Sequence, residues 1–369
     1  MPTLRFREFQ NDARWIPNKI DHVCKIGNGR DYKHLSAGNI PVYGSGGYMT
    51  SVDKFLYDGE SVCIGRKGTI DKPIFLTGKF WTVDTLFYTY AFHKCLPKFL
   101  YLIFQQINWY KYNEAGGVPS LLKTTIGNIN IFIPNNENEQ KKIVDCFSSL
   151  DDLINAVADK IETLKEYKKG LMQQLFPAEG KTTPAFRFPE FQNKGEWEES
   201  TLGDICDMQA GKFVSASEIC DVKKDTMYPC YGGNGLRGYT HSFTHFGIYP
   251  LIGRQGAQCG NITYAEGKFH ATEHAVVVTL KKDIDIRWLY YQLIKLDLNQ
   301  YATGQAQPGL SVDVIKKVTI RIPKNKNEQQ LIACGLFSVD ELISTETAKL
   351  DQLKAHKKGL MQQLFPKLQ

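Results

Sequence analysis

The 369-residue sequence has no run of about 18 apolar residues, the least that a membrane-spanning helix requires. Met1 to Arg14 is polar and lacks an apolar stretch ending in a small-residue cleavage site, so no secretory leader, no membrane partner and a cytoplasmic location are expected. Phosphate-binding Gly-x-x-x-x-Gly-Lys-Ser/Thr, the Gly-x-Ser-x-Gly nucleophile elbow and the Asn/Asp-Pro-Pro-aromatic methyltransferase motif are all missing. With no catalytic constellation in sight, the chain is not expected to be an enzyme. The 9 cysteines are an odd number, scattered and without a Cys-x-x-Cys pair, which argues against a disulfide framework and for reduced, mostly buried thiols. A strong excess of charge of one sign is also lacking: 45 basic residues stand against 39 acidic ones, a net +6 that permits an anionic partner without demanding one.

What the sequence does have is a duplication. The ten residues KKGLMQQLFP occur at Lys168–Pro177 and, unchanged, at Lys357–Pro366, an offset of 189. At the same offset Ile133 to Gln140 faces Ile322 to Gln329, and at 188 Tyr43 to Gly47 matches Tyr231 to Gly235, and Ile64 to Gly68 matches Ile252 to Gly256. Phe6 to Gln10 and Trp15 answer Phe188 to Gln192 and Trp197.

Each copy begins with short β-branched and aromatic runs between glycine clusters, such as Ser61 to Ile64, Thr85 to Tyr90 and Ala275 to Leu280. These predict a compact β-rich domain with a few helices near Pro97 to Trp109 and Ile286 to Lys295. Beyond Pro134 and Pro323 the period changes. Asn/Glu-rich turns supply helix caps, and apolar residues then follow at alternating spacings of four and three. The first series is Ile143, Phe147, Leu150, Ile154, Val157, Ile161, Leu164, Leu171 and Leu175, interrupted by Lys168. The second is Ile332, Leu336, Val339, Ile343, Leu350, Leu353, Leu360 and Leu364, with Glu346 and Lys357 as exceptions. Heptad spacing of this kind makes a narrow seam that needs another helix to cover it, over roughly 60 Å for about 40 residues. The two matching helices are each other's best partner, and an antiparallel pair would relate the β-rich domains by a pseudo-twofold axis. The closing ten residues of the helices remain identical while the domains keep only scattered Gly, Tyr and Phe positions, which suggests one job done twice by the helices and two versions of one job by the domains.

Two motif matches have plainer explanations. His270-Ala271-Thr272-Glu273-His274 fits a zinc signature by letter, but the Ala275 to Thr279 run that follows is strand chemistry, which does not set both imidazoles on one ion; no metal site is expected. Gly233 to Gly238 fits a dinucleotide fingerprint but precedes no helix, and reads as a turn. The remaining feature is a set of paired Gly-rich loops with polar, basic and aromatic residues. The first copy offers Arg30, Lys33, Tyr43, Ser45, Tyr48, Arg66 and Lys67; the second offers Lys212, Tyr231, Asn234, Arg237, Arg254, Gln255 and Gln258. Such loops suit DNA: glycine lets the backbone approach phosphates, Arg and Lys neutralise them, and Arg, Asn and Gln can pair with base edges.

At these residues the sequence resembles the DNA specificity subunit of type I restriction-modification enzymes. The resemblance rests on the repeated Pro-x-x-x-x-Glu-Gln (Pro134 to Gln140, Pro323 to Gln329), the terminal KKGLMQQLFP, Arg5-Phe6 through Trp15 with Arg187-Phe188 through Trp197, and GGVPSLL at Gly116 to Leu122 with GQAQPGL at Gly304 to Leu310. The first of that last pair is one residue shorter before its proline. The resemblance implies an α+β protein with two β-rich target recognition domains in pseudo-twofold arrangement, separated by two long antiparallel helices forming a coiled coil. Residues 1–134 and 182–323 would be the recognition domains, and 135–181 and 324–369 the helical spacers. Each domain would read one half of a bipartite, asymmetric double-stranded DNA target. The helices would space the domains and dock two methyltransferase subunits, with restriction subunits joining them; S-adenosylmethionine and ATP would belong to those partners, leaving this chain without a cofactor. The alternative is a coiled-coil scaffold or regulatory protein-binding subunit that reads no DNA.

Overall fold

The structure, a computed structural model, describes residues 1–256, 258–304 and 308–367. In chain order the first copy comprises β1 (Ile16–Lys19), α1 (Ile20–Val23), β2 (Lys25–Asn28), β3 (Ala37–Gly44), β4 (Gly47–Val52), β5 (Tyr57–Asp58), β6 (Ser61–Gly65), β7 (Ile74–Leu76), β8 (Lys79–Thr82), β9 (Leu86–Tyr90), α2 (Pro97–Phe104), α3 (Lys123–Gly127), β10 (Asn130–Ile133) and the long helix α4 (Glu137–Leu175). The second repeats the plan: β11 (Glu198–Thr201), α5 (Leu202–Ile205), β12 (Cys206–Ala210), β13 (Tyr228–Gly232), β14 (Gly235–Thr240), β15 (His245–Gly253), β16 (Ile262–Ala271), β17 (Ala275–Leu280), α6 (Ile286–Lys295), α7 (Val312–Lys316), β18 (Thr319–Ile322) and the long helix α8 (Lys326–Leu364). No helix among the described residues is long and apolar enough to cross a membrane.

The chain forms two compact units that cut across both long helices: residues 1–158 with 348–369, and residues 159–347. In the first, β1 and β10 pair antiparallel, Ile16 opposite Ile133, so that the domain is closed where it begins and ends. Two four-stranded sheets, ordered β2-β9-β6-β7 and β4-β3-β8-β5, make up the rest. In the second, β11 and β18 close the domain in the same way, and one six-stranded sheet runs β12-β17-β15-β16-β13-β14. The difference is a bend. Gly247 and Gly267, both at positive φ, face each other inside the continuous β15–β16 ladder. Their counterparts Gly59 and Gly78, also at positive φ, sit where the ladder is broken into β5–β8 and β6–β7, with the Gly59 N–H on the Gly78 carbonyl at 3.1 Å. Glycine adopts this conformation without the steric cost of a side chain, so both hairpins can kink there.

The long helices start alike. The side chains of Asn136 and Asn325 accept hydrogen bonds from the Asn138 and Asn327 N–H groups at 3.0 and 2.9 Å, the N-cap that satisfies an otherwise orphaned donor. The next turn carries the Glu-Gln of the repeated motif. Glu139, 1% exposed, accepts both Nε and Nη2 of Arg5 at 2.7 Å and the indole N–H of Trp15 at 3.1 Å. Glu328 does the same with Arg187 at 2.7 and 2.8 Å and Trp197 at 3.2 Å. Gln140 accepts from the Leu96 N–H and donates to the Lys94 and Pro134 carbonyls, while Gln329 accepts from the Asp285 N–H and donates to the Pro323 carbonyl. The motif therefore ties the start of each helix to its own domain through groups that are buried and fully bonded.

The KKGLMQQLFP ends perform the opposite connection. In the first unit Phe365, the last phenylalanine of the second copy, lies against Trp15, Phe99 and Phe147, with ring centroids 5.8, 5.3 and 6.2 Å away. In the second unit Phe176, from the first copy, lies 6.3 Å from Trp197 and 6.1 Å from Trp288. Between these ends the helix segments within each unit run antiparallel. Every predicted seam residue, from Ile143 to Leu175 and from Ile332 to Leu364, is buried or half-buried. The residues that interrupt the apolar pattern form ion pairs between helices: Lys357 with Asp151 at 2.5 Å in the first unit, and Lys168 with Asp340 at 2.6 Å and Lys160 with Glu346 at 2.5 Å in the second. Asp340 also accepts the Tyr291 hydroxyl at 2.7 Å; burial of the tyrosine, together with this hydrogen bond to a carboxylate, pushes its pKa well above the ordinary value.

Candidate nucleic-acid interface

In each domain the glycine-rich loops converge on one tight turn. The first-copy turn, Val83 to Leu86, is closed by the Leu86 N–H on the Val83 carbonyl at 2.9 Å. Three loops hang from its flanks. The Arg30 N–H donates to the Thr82 carbonyl at 2.8 Å, the Val83 N–H donates to the Tyr43 carbonyl at 2.9 Å, and the Arg66 N–H donates to the Thr85 carbonyl at 2.8 Å. A fourth segment joins through the Leu121 N–H on the Arg66 carbonyl and the Gly68 N–H on the Pro119 carbonyl, both 2.9 Å.

The second copy reproduces this frame bond for bond. The turn Thr272 to Ala275 closes at 3.0 Å; Lys212 donates to the Ala271 carbonyl at 2.8 Å, Thr272 to Tyr231 at 2.9 Å, and Arg254 to His274 at 2.9 Å. Leu310 donates to the Arg254 carbonyl and Gly256 to the Pro308 carbonyl, again at 2.9 Å. Pro119 and Pro308 thus hold the same place although the preceding loops differ in length; Gln305, Ala306 and Gln307 of GQAQPGL lie outside the described residues. Close packing explains the glycine that precedes each of Arg30 and Lys212. A Cβ on Gly29 would fall 1.9 Å from the Val83 carbonyl oxygen, and one on Gly211 would fall 2.2 Å from that of Ala271.

On this frame the expected contact residues fall into two groups. Arg30, Lys33, Tyr48, Arg66, Lys67, Lys212, Asn234, Arg237, Arg254, Gln255 and Gln258 are exposed. Ser45 is half-buried at the β3–β4 turn, where a Cβ on Gly68 would stand 3.4 Å from its hydroxyl, so the hairpin and the loop after β6 are neighbours. Tyr43 and Tyr231 are half-buried on strands. Tyr231 packs edge-on to Phe269 with centroids 5.7 Å apart, and Tyr43 supports the exposed Tyr48 at 6.1 Å. Asn234 is the second residue of the two-residue β13–β14 turn, where Gly232 pairs with Gly235, so Gly233 to Gly238 belongs to a hairpin. Two exposed apolar side chains adjoin the basic positions, Phe213 beside Lys212 and Leu236 beside Arg237.

His270 lies at the end of β16, 5% exposed, with Nδ1 beside the Ser242 hydroxyl and Nε2 beside the Lys212 carbonyl, each 3.0 Å away. Both ring nitrogens are therefore engaged, and Nε2 ties the ring to the Lys212 loop. Among the described residues no group of three or more His, Cys, Asp or Glu side chains is arranged to hold a metal.

Reading for cations and amides overlooked the acidic residue at the centre of each frame, Asp84 in one turn and Glu273 in the other. Their offset of 189, equal to that of the helices, was the available signal.

A family model described as Type I restriction modification DNA specificity domain matches residues 13–166 and again residues 194–355. The chain is 38% identical over 165 residues to the Type I restriction enzyme EcoprrI specificity subunit of Escherichia coli, an alignment that spans 44% of this chain and 41% of that subunit. It is 27% identical over 346 residues to the Type I restriction enzyme MjaVIII specificity subunit of Methanocaldococcus jannaschii, covering 84% of this chain and 77% of that one. The fold is similar to that of a type I restriction-modification S subunit from M. genitalium, with a TM-score of 0.74 over the full length of both chains at 17% identity.

Proposed function

The chain belongs to the type I restriction modification DNA specificity family, matched in two copies, and from that premise we propose that it reads a bipartite, asymmetric DNA target with one half assigned to each domain. The observation that carries the reading is the pair of loop clusters: one hydrogen-bonded frame built twice, with different exposed side chains on each. A frame that is kept while its side chains change is what two readers of different sequences require. Phosphates would be neutralised by Arg30, Lys33, Arg66 and Lys67 in the first domain and by Lys212, Arg237 and Arg254 in the second. Tyr48, Asn234, Gln255 and Gln258 would compete for base edges, with Tyr43, Ser45 and Tyr231 shaping the surface beneath them.

The helices α4 and α8 set the distance between the half-sites, about 10 base pairs centre to centre for two domains on one face of the duplex. They also present the surface on which two methyltransferase subunits dock, with restriction subunits completing the nuclease. The chain itself carries out no reaction; S-adenosylmethionine and ATP serve those partners. Charge is unequal between the two readers. Residues 1–134 hold 16 basic and 10 acidic side chains, a net +6, whereas residues 182–323 hold 15 of each. The first domain therefore contributes more of the non-specific electrostatic hold.

The reading is tested by binding of the chain, assembled with its methyltransferase subunit, to random and cognate duplexes in graded salt. Cognate preference should persist while overall affinity drops, by roughly 1,000-fold between about 50 and about 200 mM salt if six or more phosphates are neutralised. Binding that is absent or indifferent to both sequence and salt would remove the DNA-reading role.

A further inference from the structure

The acidic residue at the centre of each cationic loop cluster has no evident place in a phosphate-binding surface. Asp84 and Glu273 occupy the same position, the residue after the first of a four-residue turn, and each turn is fixed by hydrogen bonds to three neighbouring loops. The Asp84 side chain is exposed, and among the described residues it makes no hydrogen bond or ion pair. Glu273 is 34% exposed in its side chain; one oxygen lies 3.3 Å from His274 Nε2, and the other is shielded without a hydrogen-bond partner among the described residues. Among the described residues neither carboxylate forms an ion pair with Arg30, Arg66, Lys212 or Arg254, whose loops are tied to the same turn. Those cations remain available to an external anion; the Asp84 carboxylate is open to an external donor, and Glu273 offers its Oε1, the oxygen beside His274, since Oε2 is shielded.

Resting on the DNA-recognition reading, we infer that Asp84 and Glu273 are specificity-determining residues, each accepting a hydrogen bond from the exocyclic amino group of a cytosine or adenine in its half-site. A carboxylate is repelled by phosphate and by the acceptor edges of guanine and thymine in the major groove. Only the N4 amino group of cytosine and the N6 amino group of adenine offer donors there. A carboxylate held at the middle of a surface whose surrounding cations grip the backbone thus selects one class of base and penalises the other. Anchoring of the turn on both flanks lowers the cost of holding that acceptor in place.

The test is the methylation pattern of a host expressing the full chain, wild type or variant, with its methyltransferase subunit. In the wild type a bipartite motif is expected; its absence would overturn the DNA-recognition reading and this inference with it. D84A should keep methylation of the original motif and add sites that differ at one base pair of one half, with about 10-fold or more of discrimination lost at that position. E273A should do the same in the other half. Added sites cannot come from a misfolded subunit, so the readout separates lost reading from lost structure; D84S and E273S, which keep small turn-forming residues, should behave alike. A wild-type bipartite motif that stays unchanged in all four variants, or that is lost with no added site in any of them, would overturn the inference while leaving the two-domain reading in place.

Discussion

At the scale of single residues, Glu139 and Glu328 each tie three separate segments of the chain together. Each is a buried carboxylate that joins the N-terminal Arg-Phe segment, the first tryptophan of its domain and the start of a long helix, in geometry that is nearly the same in both copies. Bidentate pairing also stabilises the charged guanidinium, and the pKa of Arg5 is raised above its ordinary value by the Glu139 hydrogen bond. Replacing Glu139 by alanine leaves a guanidinium and an indole N–H without their acceptor. E139A should therefore lose about 3–5 kcal/mol of unfolding free energy, measured by urea denaturation, whereas exchange of an exposed residue such as Glu162 should change little. The motifs on which this link rests were all visible in the sequence as repeated letters. Their joining was not, because Arg5 and Glu139 are separated by 134 positions and nothing in either segment specifies the other. For the candidate contact residues the sequence supplies chemistry and loop position, and the structure adds that the cationic and amide-bearing ones are exposed. Asp84 and Glu273 escaped because charge complementarity to phosphate directs attention away from acids, and half-burial of Tyr43 and Tyr231 escaped because a tyrosine on a strand looks the same in sequence whichever face it occupies.

At the scale of elements, the long helices follow the sequence closely. Heptad spacing, asparagine caps and the closing KKGLMQQLFP place α4 and α8 within a few residues of where they are found, each with 39 residues and about 58 Å of length. The interruptions at Lys168, Lys357 and Glu346 could be located but not explained from one strand of the seam, since their meaning lies in Asp340, Asp151 and Lys160 on the facing helix. Those pairs fix the register, because sliding one helix past the other by a heptad would bring lysines opposite apolar positions. An insertion in one helix alone therefore costs the ion pairs and the docking of its terminal phenylalanine. Seven residues inserted into both helices, after Ala158 and after Thr347, preserve every pairing within each unit and add about 10 Å. On the proposed ruler function this change should lengthen the unspecified spacer of the methylated motif by about three base pairs and leave both half-sites as they were; methylome sequencing of the variant gives the answer, and an unaltered spacer would rule out the helices as the ruler. The sheets were less legible. Short strands and glycine turns are evident in the sequence, but the break of one long hairpin into β5–β8 and β6–β7 in the first copy, against its continuous form in the second, is not, since both copies place a pair of positive-φ glycines at the same point.

At the scale of the whole molecule, the repeat and the compact unit are different things. The sequence divides after each helix, at the point where KKGLMQQLFP ends. The compact units instead divide within the helices, so that Phe365 completes the core built on Trp15 and Phe176 completes the core built on Trp197. Each copy thereby supplies the closing side chain of the other's domain, a reason for the terminal ten residues to stay identical while the domains diverge. The division of labour proposed for the two copies is one half-site read by each domain, independently of the other. Its most direct test is to exchange residues 1–134 for the corresponding region of a different specificity subunit and sequence the methylome of a host carrying the hybrid with its methyltransferase subunit. One half of the methylated motif should change, with the other half and the spacer retained; a hybrid that assembles but alters both halves, or neither, would contradict the account.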